Sequence, residues 1–380
     1  MKIEQTRWTE GGGWAPEHPG TLAGTAQLVL AFGGTSALKR VALSDALRAA
    51  YPRAHVMGCS TAGEICGTQV TDDSLVITAV EFERSTIHGV QTRIAASDDS
   101  FAAGARLARA LPARDLVHVF VLSDGIKVNG SELVKGLTAT LPEGTTVTGG
   151  LAGDGARFEE TLVFRDGAPA RDTIAALGLY GDRLRVGFGS LGGWDPFGPQ
   201  RVITRSKGNV LYELDGQSAL DLYATYLGEH ARDLPASGLL FPLSIRSHED
   251  DVPVVRTILA VDASEQSLTF AGDVPEGALA QLMRANFDRL IDGATGAARR
   301  SHQAIAAESP DLAILISCVG RKLVLQQRIE EEVEAVRDVL GSDTVLSGFY
   351  SYGEISPFTP SARCELHNQT MTITTLSERA

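Results

Sequence analysis

Two stretches of the chain, GCSTAGEI at residues 58–65 and GFYSYGEI at residues 348–355, share the pattern G-x-x-[ST]-x-G-E-I. A looser third copy, TGGLAGDG, occupies residues 148–155 and carries aspartate where the other two carry glutamate. Short β-prone segments, AHVM, TTVT and DTVL, precede the three copies and would lead the chain into each glycine turn. The sequence therefore contains an internal repeat in which a strand enters a glycine turn that ends in an acid.

Each copy lies within a longer pattern of strands and helices. Apolar runs typical of buried strands occur upstream of the three turns, at residues 26–32, 115–122 and 311–317. A glycine-bearing loop and a helical stretch follow each run, and roughly 30 to 36 residues separate the run from its turn, enough for one crossover helix. Further β-prone segments follow the turns. The sequence predicts an α/β fold of two lobes, built from repeated strand, helix, strand, glycine-turn, strand units in mixed, largely parallel sheets.

The segment between the second and third units has a different composition. Residues 182–209 are rich in Gly and Pro and contain Trp194 and Phe197, which is typical of a segment that crosses between lobes. A helix is predicted at about 217–230, and a hairpin is predicted from residues 254–262 and 267–274 with ASEQ as its turn. We expect Trp194 and Phe197 to pack at the interface between the lobes.

Composition and charge exclude several classes of protein. The chain has 380 residues, 43% apolar and 21% charged, as in ordinary globular proteins. Lys and Arg total 34 against 47 Asp and Glu, and the net charge of −13 argues against nucleic acid or anionic lipid as a partner. The N-terminal sequence lacks a signal-peptide pattern, and no run approaches the roughly 20 apolar residues of a membrane span. We therefore expect a cytoplasmic protein without membrane insertion, whose macromolecular partner is a protein.

The repeated strings resemble the FIST family, named for F-box and intracellular signal transduction proteins. Four further strings carry the resemblance: SDG at 123–125, GWDPFGPQRVITRSKGNVLYELDG at 193–216, SALDLYATYLG at 218–228 and CELHNQT at 364–370. The resemblance covers roughly residues 26–376 in the right order. It implies an N-terminal tail at 1–25, a FIST N domain at 26–195 and a FIST C domain at 196–380, as in a stand-alone bacterial member.

The same resemblance implies a sensory function. Members of the family are expected to bind a small ligand, for which amino acids have been proposed, and to act on a signalling partner. That partner would be a histidine kinase, a diguanylate cyclase or phosphodiesterase, or a chemoreceptor. Some bacterial stand-alone members are haem proteins that sense nitric oxide, so haem b is the cofactor that the resemblance offers.

The glycine turns are the predicted ligand site, because their backbone N–H groups suit a carboxylate and the glutamates could receive an ammonium group. The alternative is that the glycines only shape tight turns and the acids only accept hydrogen bonds from backbone amides. The residues predicted to bind the ligand are Gly58, Cys59, Ser60, Thr61, Gly63, Glu64, Asp124, Gly150, Asp154, Ser351, Tyr352, Gly353, Glu354 and Asn368.

Metal binding and catalysis are the remaining hypotheses. His367, Cys59 and Cys364 are the candidate ligands for haem or zinc, although a histidine beside an Asn-Gln pair is more often a structural hydrogen-bonding residue. Cys59 at a strand end is the candidate nucleophile. GCSTAG does not match the G-x-S-x-G spacing of a nucleophile elbow, and no phosphate-loop string is present. We therefore expect a protein that is not an enzyme.

Overall fold

The computed structural model describes residues 1–248, 253–305, 309–358 and 362–378. The strands of the first half are β1 (Lys2–Thr9), β2 (Gly13–Ala15), β3 (Leu28–Gly33), β4 (His55–Ser60), β5 (Glu64–Cys66), β6 (Gln69–Thr71), β7 (Leu75–Glu81), β8 (Thr86–Arg93), β9 (Leu116–Ser123), β10 (Thr146–Leu151), β11 (Val163–Arg165), β12 (Thr173–Tyr180), β13 (Leu184–Leu191) and β14 (Asp195–Pro196). Its helices are α1 (Thr35–Leu38), α2 (Val41–Ala50), α3 (Ser100–Ala110) and α4 (Gly130–Thr138), with a 3-10 turn at Ser97–Asp99.

The second half continues the same mixture of strands and helices. Its strands are β15 (Arg201–Lys207), β16 (Val210–Leu214), β17 (Gln217–Ser218), β18 (Leu243–Arg246), β19 (Val254–Arg256), β20 (Ile258–Asp262), β21 (Ser267–Phe270), β22 (Leu279–Arg284), β23 (Leu312–Cys318), β24 (Val345–Ser351), β25 (Gly353–Pro357), β26 (Cys364–His367) and β27 (Met371–Glu378). Its helices are α5 (Ala219–Leu227), α6 (Phe287–Ile305), α7 (Val319–Leu325) and α8 (Ile329–Leu340), with 3-10 turns at Gly228–Asp233, Ala236–Leu239 and Gln326–Arg328. The predicted α/β class with mixed sheets is confirmed.

Three parallel strand pairs form the centres of three six-stranded sheets. They are β3 with β4, β9 with β10, and β23 with β24, and a helix lies between the two strands of each pair in the chain. The other pairings described are antiparallel, so the prediction of largely parallel sheets is wrong. Short connections give antiparallel neighbours. The helical connection through α3 leads from β8 to β9, but β12 lies between these two strands and is antiparallel to both.

The next strand after each glycine turn joins the sheet of a different unit. β5, after the first turn, pairs with β24 of the third unit. β25, after the third turn, pairs with β10 of the second unit, and β11, after the second turn, pairs with β4 of the first. These three exchanges close a ring of units. Two of the sheets therefore combine strands from both sides of the predicted boundary at 195/196, and β1, from the predicted tail, pairs with β7 of the first sheet.

Residues 195–284 form a separate nine-stranded sheet, whose described strands pair only with one another. Helix α5 and the β20–β21 hairpin confirm the predicted helix and hairpin. Trp194 is buried beside this sheet and donates through Nε1 to the Gln369 carbonyl at 2.8 Å, whereas Phe197 packs on Tyr226 and Phe241. No helix in the four described segments has both the length and the apolar character needed to cross a membrane.

The two parallel strands of each unit approach closely at one glycine. A Cβ atom built on Gly58, Gly149 or Gly348 would lie 2.0, 1.9 or 1.9 Å from a carbonyl oxygen of the leading strand. The three glycines are the register partners of Ala31, Val121 and Leu315, near the middle of β3, β9 and β23. The first glycine of the repeat is therefore required for backbone packing. In the second unit, the distance from this glycine, Gly149, to its acid, Asp154, is one residue shorter than in the other two.

We expect Gly348→Ala to lower the free energy of unfolding by at least about 2 kcal/mol, because the added methyl group would overlap backbone atoms that cannot move alone. Urea denaturation of purified protein measures this change. Gly11→Ala is the matched control, since Gly11 is exposed and has open space around it. A Gly348→Ala protein within about 0.5 kcal/mol of wild type would contradict the close approach of these strands.

Candidate functional site

The three glycine turns meet and hydrogen-bond to one another through their backbones. These bonds run from Gly153 N to Ser60 O (2.9 Å), from Tyr350 N to Gly63 O (2.8 Å) and from Tyr352 N to Leu151 O (3.1 Å). The turns lie at the carboxyl ends of the parallel strands, where ligands of such sheets usually bind. The structure thus brings the predicted residues of all three turns together at one place.

Glu64 ends the first turn and is held by hydroxyl and amide donors. The hydroxyl of Thr61 donates to Oε1, and Ser74 donates to Oε2 through its backbone N at 2.9 Å and its Oγ at 2.7 Å. Burial raises the pKa of Glu64 to about 7, although these hydrogen bonds act in the opposite direction. Both carboxyl oxygens are already engaged by the chain itself.

Glu354 ends the third turn in the same arrangement. The Ser351 hydroxyl donates to Oε1 at 2.5 Å, and Thr370 donates to Oε2 through its backbone N at 3.2 Å and its Oγ1 at 3.0 Å. Burial raises the pKa of Glu354 to about 8, against the effect of the Ser351 and Thr370 donors. The [ST]-x-x-E spacing of the repeat therefore has a direct structural meaning: the hydroxyl three residues earlier binds the acid.

The aspartates of the second unit are also enclosed by donors. Asp154 accepts the Tyr352 hydroxyl and the backbone amides of residues 158–160, at 2.8, 3.0 and 2.9 Å. Burial alone would raise the pKa of Asp154, but these hydrogen bonds outweigh it and hold the pKa below its ordinary value. Asp124 accepts two backbone amides on Oδ1 and the Thr161 hydroxyl on Oδ2, at 2.8 Å. A ligand could reach either carboxylate only by displacing one of these donors.

The small residues of the turns pack tightly. A Cβ on Gly150 would lie 2.7 Å from Ile316, and a Cβ on Gly353 would lie 3.0 Å from Leu366. Cys59 is fully buried on β4, where burial and, to a lesser extent, Glu64 raise the pKa of its thiol. A neutral, buried thiol is a poor nucleophile.

Sequence reasoning missed Lys322, which reaches the first turn from the third unit. Its Nζ donates to the Ala62 carbonyl at 2.8 Å and pairs with Asp72. A Cβ on Gly63 would lie 2.5 Å from this Nζ, so the glycine leaves room for the lysine. The available signal was position, because Lys322 lies in α7, directly after the third leading strand β23.

Two of the side chains predicted for haem or zinc make contacts within the protein. His367 Nε2 contacts the Ser356 carbonyl at 2.7 Å, its ring packs edge-on against Phe358, and burial lowers its pKa to about 4. Cys364 Sγ donates to the Val147 carbonyl at 3.3 Å, and burial raises the pKa of this thiol. Within the described residues, no three His, Cys, Asp or Glu side chains form a group that could hold a metal ion. The two candidate cysteines, which are neutral and buried, do not fit a zinc site.

Three consecutive residues beside the third turn each bury an acceptor atom that has no hydrogen-bond partner among the described residues. These atoms are His367 Nδ1, Asn368 Oδ1 and Gln369 Oε1. All three side chains are at most 1% exposed. Buried polar groups in folded proteins normally have a partner, so this segment requires donors beyond those that the described residues supply.

We expect wild-type protein to lose about 2 kcal/mol or more of stability between pH 5 and pH 8, and Glu354→Gln to lose less. A carboxyl whose pKa is raised in the folded state, here to about 8, binds its proton more tightly there than when unfolded. Stability is therefore greatest below the unfolded pKa and falls as the pH rises through the folded value. Glutamine keeps an acceptor for Thr370 and offers Ser351 a donor, without ionising.

Urea denaturation at several pH values measures this difference. Glu17→Gln is the control, because it removes an exposed carboxylate and should leave the slope unchanged. Equal slopes for wild type and Glu354→Gln would show that Glu354 does not carry the raised pKa.

Comparison with known proteins identifies two family models along the chain. The FIST N domain model matches residues 27–217, and the FIST C domain model matches residues 219–357. A structural comparison with cyanuric acid hydrolase from A. caulinodans covers 78% of this chain and 100% of that chain, at 11% identity. Its TM-score of 0.18 is too low to support an argument about fold or function.

Three curated relatives are themselves described only as uncharacterized proteins. The relative from Mycobacterium tuberculosis is 29% identical over 252 residues, or 62% of each chain, so the match spans less than two thirds of its length. The Mycobacterium bovis relative is 29% identical over 275 residues, or 68% of this chain and 66% of its own. The Methanocaldococcus jannaschii relative is 23% identical over 366 residues, or 84% and 68%. Because the two models match most of its length, the chain belongs to the FIST family of sensory domains in signal transduction.

Proposed function

We propose that this FIST protein is a sensor, not an enzyme, that binds a small ligand with an ammonium group, such as an amino acid. The single observation that supports this proposal is the run of three buried acceptors at residues 367–369 that have no partner in the described part of the chain. Elsewhere in the described chain, buried side-chain atoms without a partner occur on residues that are not sequence neighbours.

The chemistry of the three atoms specifies a donor. His367 Nε2 faces a carbonyl and therefore carries the proton, which leaves Nδ1 as an acceptor. The amide nitrogens of Asn368 and Gln369 each face a carbonyl oxygen at 3.4 Å, so their side-chain oxygens point the other way. An ammonium group has three donors and no acceptor, and matches this demand better than a carboxylate does.

The same segment lies next to a group that can supply the counter-charge. His367 is the register partner of Glu354 across β25 and β26, and Asn368 donates to the backbone of Tyr352 in the third turn. A buried cation is stable only with a nearby anion. Because burial raises the pKa of Glu354 to about 8, this carboxyl could ionise when an ammonium group arrives.

Contacts of this segment provide a route by which binding could reach a partner. Gln369 accepts the Trp194 indole on its carbonyl and donates to the Leu239 carbonyl, both beside the nine-stranded sheet. The nine-stranded sheet could adopt more than one position relative to the three units. A ligand that binds one of these positions more tightly would increase its population. A protein partner such as a histidine kinase, a diguanylate cyclase or phosphodiesterase, or a chemoreceptor would detect that shift.

We expect calorimetric titration with the twenty amino acids to find at least one ligand with a Kd below about 1 mM, and its N-acetyl derivative not to bind. Gln369→Met should weaken binding roughly ten- to hundred-fold, because a hydrogen bond to a charged group contributes about 1.5–3 kcal/mol. Methionine is unbranched and similar in shape to glutamine, so the substitution adds no backbone strain at the positive φ of 62° that Gln369 already adopts.

Gln281→Met is the matched control, since Gln281 is outside this segment and its amide is bonded to the Gly198 carbonyl. Absence of binding by every amino acid at millimolar concentration would overturn the proposal, as would equal binding by Gln369→Met. An absorption spectrum of the protein purified from its source tests the haem alternative, which predicts a Soret band.

A further inference from the structure

A cavity of about 320 Å³ lies in the first unit, away from the glycine turns. Its walls come from α1, α2, β4, β7 and β11, together with the segments that follow α2 and β11. The volume is at the lower end of the range for small-molecule pockets, roughly 300–1,000 Å³. None of the residues predicted to bind ligand lines it.

The inner wall of this cavity is apolar. The buried side chains on this wall are Leu38, Leu47, Tyr51, Val56, Leu75 and Phe164. The hydroxyl of Tyr51 does not supply a polar group to the cavity, because it is engaged by the Gly20 amide at 3.1 Å. An occupant therefore needs an apolar body that replaces water on this surface.

The exposed lining residues mark the open side, where Arg48 places a positive charge. Arg48 donates to the Asp166 carbonyl at 2.5 Å and makes no ion pair within the described part of the chain. The Asp166 carboxylate is already engaged by Val56 N at 2.8 Å, His55 Nδ1 at 3.0 Å and Arg165 Nη1 at 2.6 Å. Arg48 thus keeps donors for an anion, while the only acid among the lining residues is satisfied.

We propose that this cavity is a second binding site, which takes a small apolar carboxylate with its hydrocarbon or aromatic body against the inner wall and its acid on Arg48. The guanidinium fork matches a carboxylate in two parallel hydrogen bonds. Most of the contact area is apolar, so the body supplies binding energy and Arg48 supplies the preference for an acid. This site is independent of the proposed ammonium site, because it shares no residue with it.

Calorimetric titration of the full chain with phenylacetate and octanoate tests the proposal, with 2-phenylethanol and octanol as the uncharged analogues. We expect the acids to bind at least ten-fold more tightly than the alcohols. Arg48→Gln should weaken the acids about ten-fold and leave the alcohols unchanged, since Arg48 is exposed and its replacement should not disturb folding. Arg109→Gln, at an exposed arginine on α3, is the matched control.

A second variant tests the apolar wall. Val56→Phe should fill the cavity and abolish binding of all four compounds, provided that its circular dichroism spectrum matches wild type. No binding of either acid at millimolar concentration, or acid binding that is unchanged in Arg48→Gln, would overturn the proposal. Amino acids should not compete with phenylacetate, so failure here is distinguishable from failure at residues 367–369.

Discussion

The hydrogen-bonded carboxyl at the end of each glycine turn is the interaction on which the rest of the structure depends. At each turn the chain leaves one sheet to join the sheet of a neighbouring unit, as β5 and β25 show. Where the chain crosses between sheets inside the protein, some backbone and hydroxyl donors have no hydrogen-bond partner on a neighbouring strand. Glu64, Asp154 and Glu354 supply acceptors at these places, and so make the exchange of strands compatible with a dry interior.

The same three acids differ in the donors that hold them. Two of the three donors to Glu64 and to Glu354 are hydroxyl groups, which can reverse their role from donor to acceptor. Asp154 is held largely by backbone amides, which cannot. Hydroxyl partners therefore tolerate both the neutral and the ionised carboxyl, and the pKa of each glutamate lies near neutrality. The aspartate stays ionised and structural. One motif thus contains two kinds of acid, which are distinguished by their donors.

Local sequence patterns predicted the parts of the fold that depend on local physics. The leading strands, helix α5, the turns and the position of their acids follow from apolar runs, glycine spacing and the [ST]-x-x-E pattern. Strand exchange was not predictable, because β5 and β24 pair across about 280 residues and a strand's periodicity does not name its partner. The contact of Lys322 with the first turn and the cavity beside Arg48 were not predicted either, because each is formed by elements that are distant in the chain.

The glycine excess, 40 of 380 residues, also has a physical consequence for where a ligand can bind. Glycines at 58, 149 and 348 let the two parallel strands of each unit approach closely, and Gly153 lets the second turn lie against Ala62 of the first. The residues of the three glycine turns, which the sequence predicts as the ligand site, are thus packed against one another. Binding capacity is then expected beside the turns, where side-chain acceptors remain without donors, rather than within them. The CELHNQT segment, residues 364–370, occupies that position because it follows the last exchanged strand and contacts both the third turn and the 3-10 turn at Ala236–Leu239.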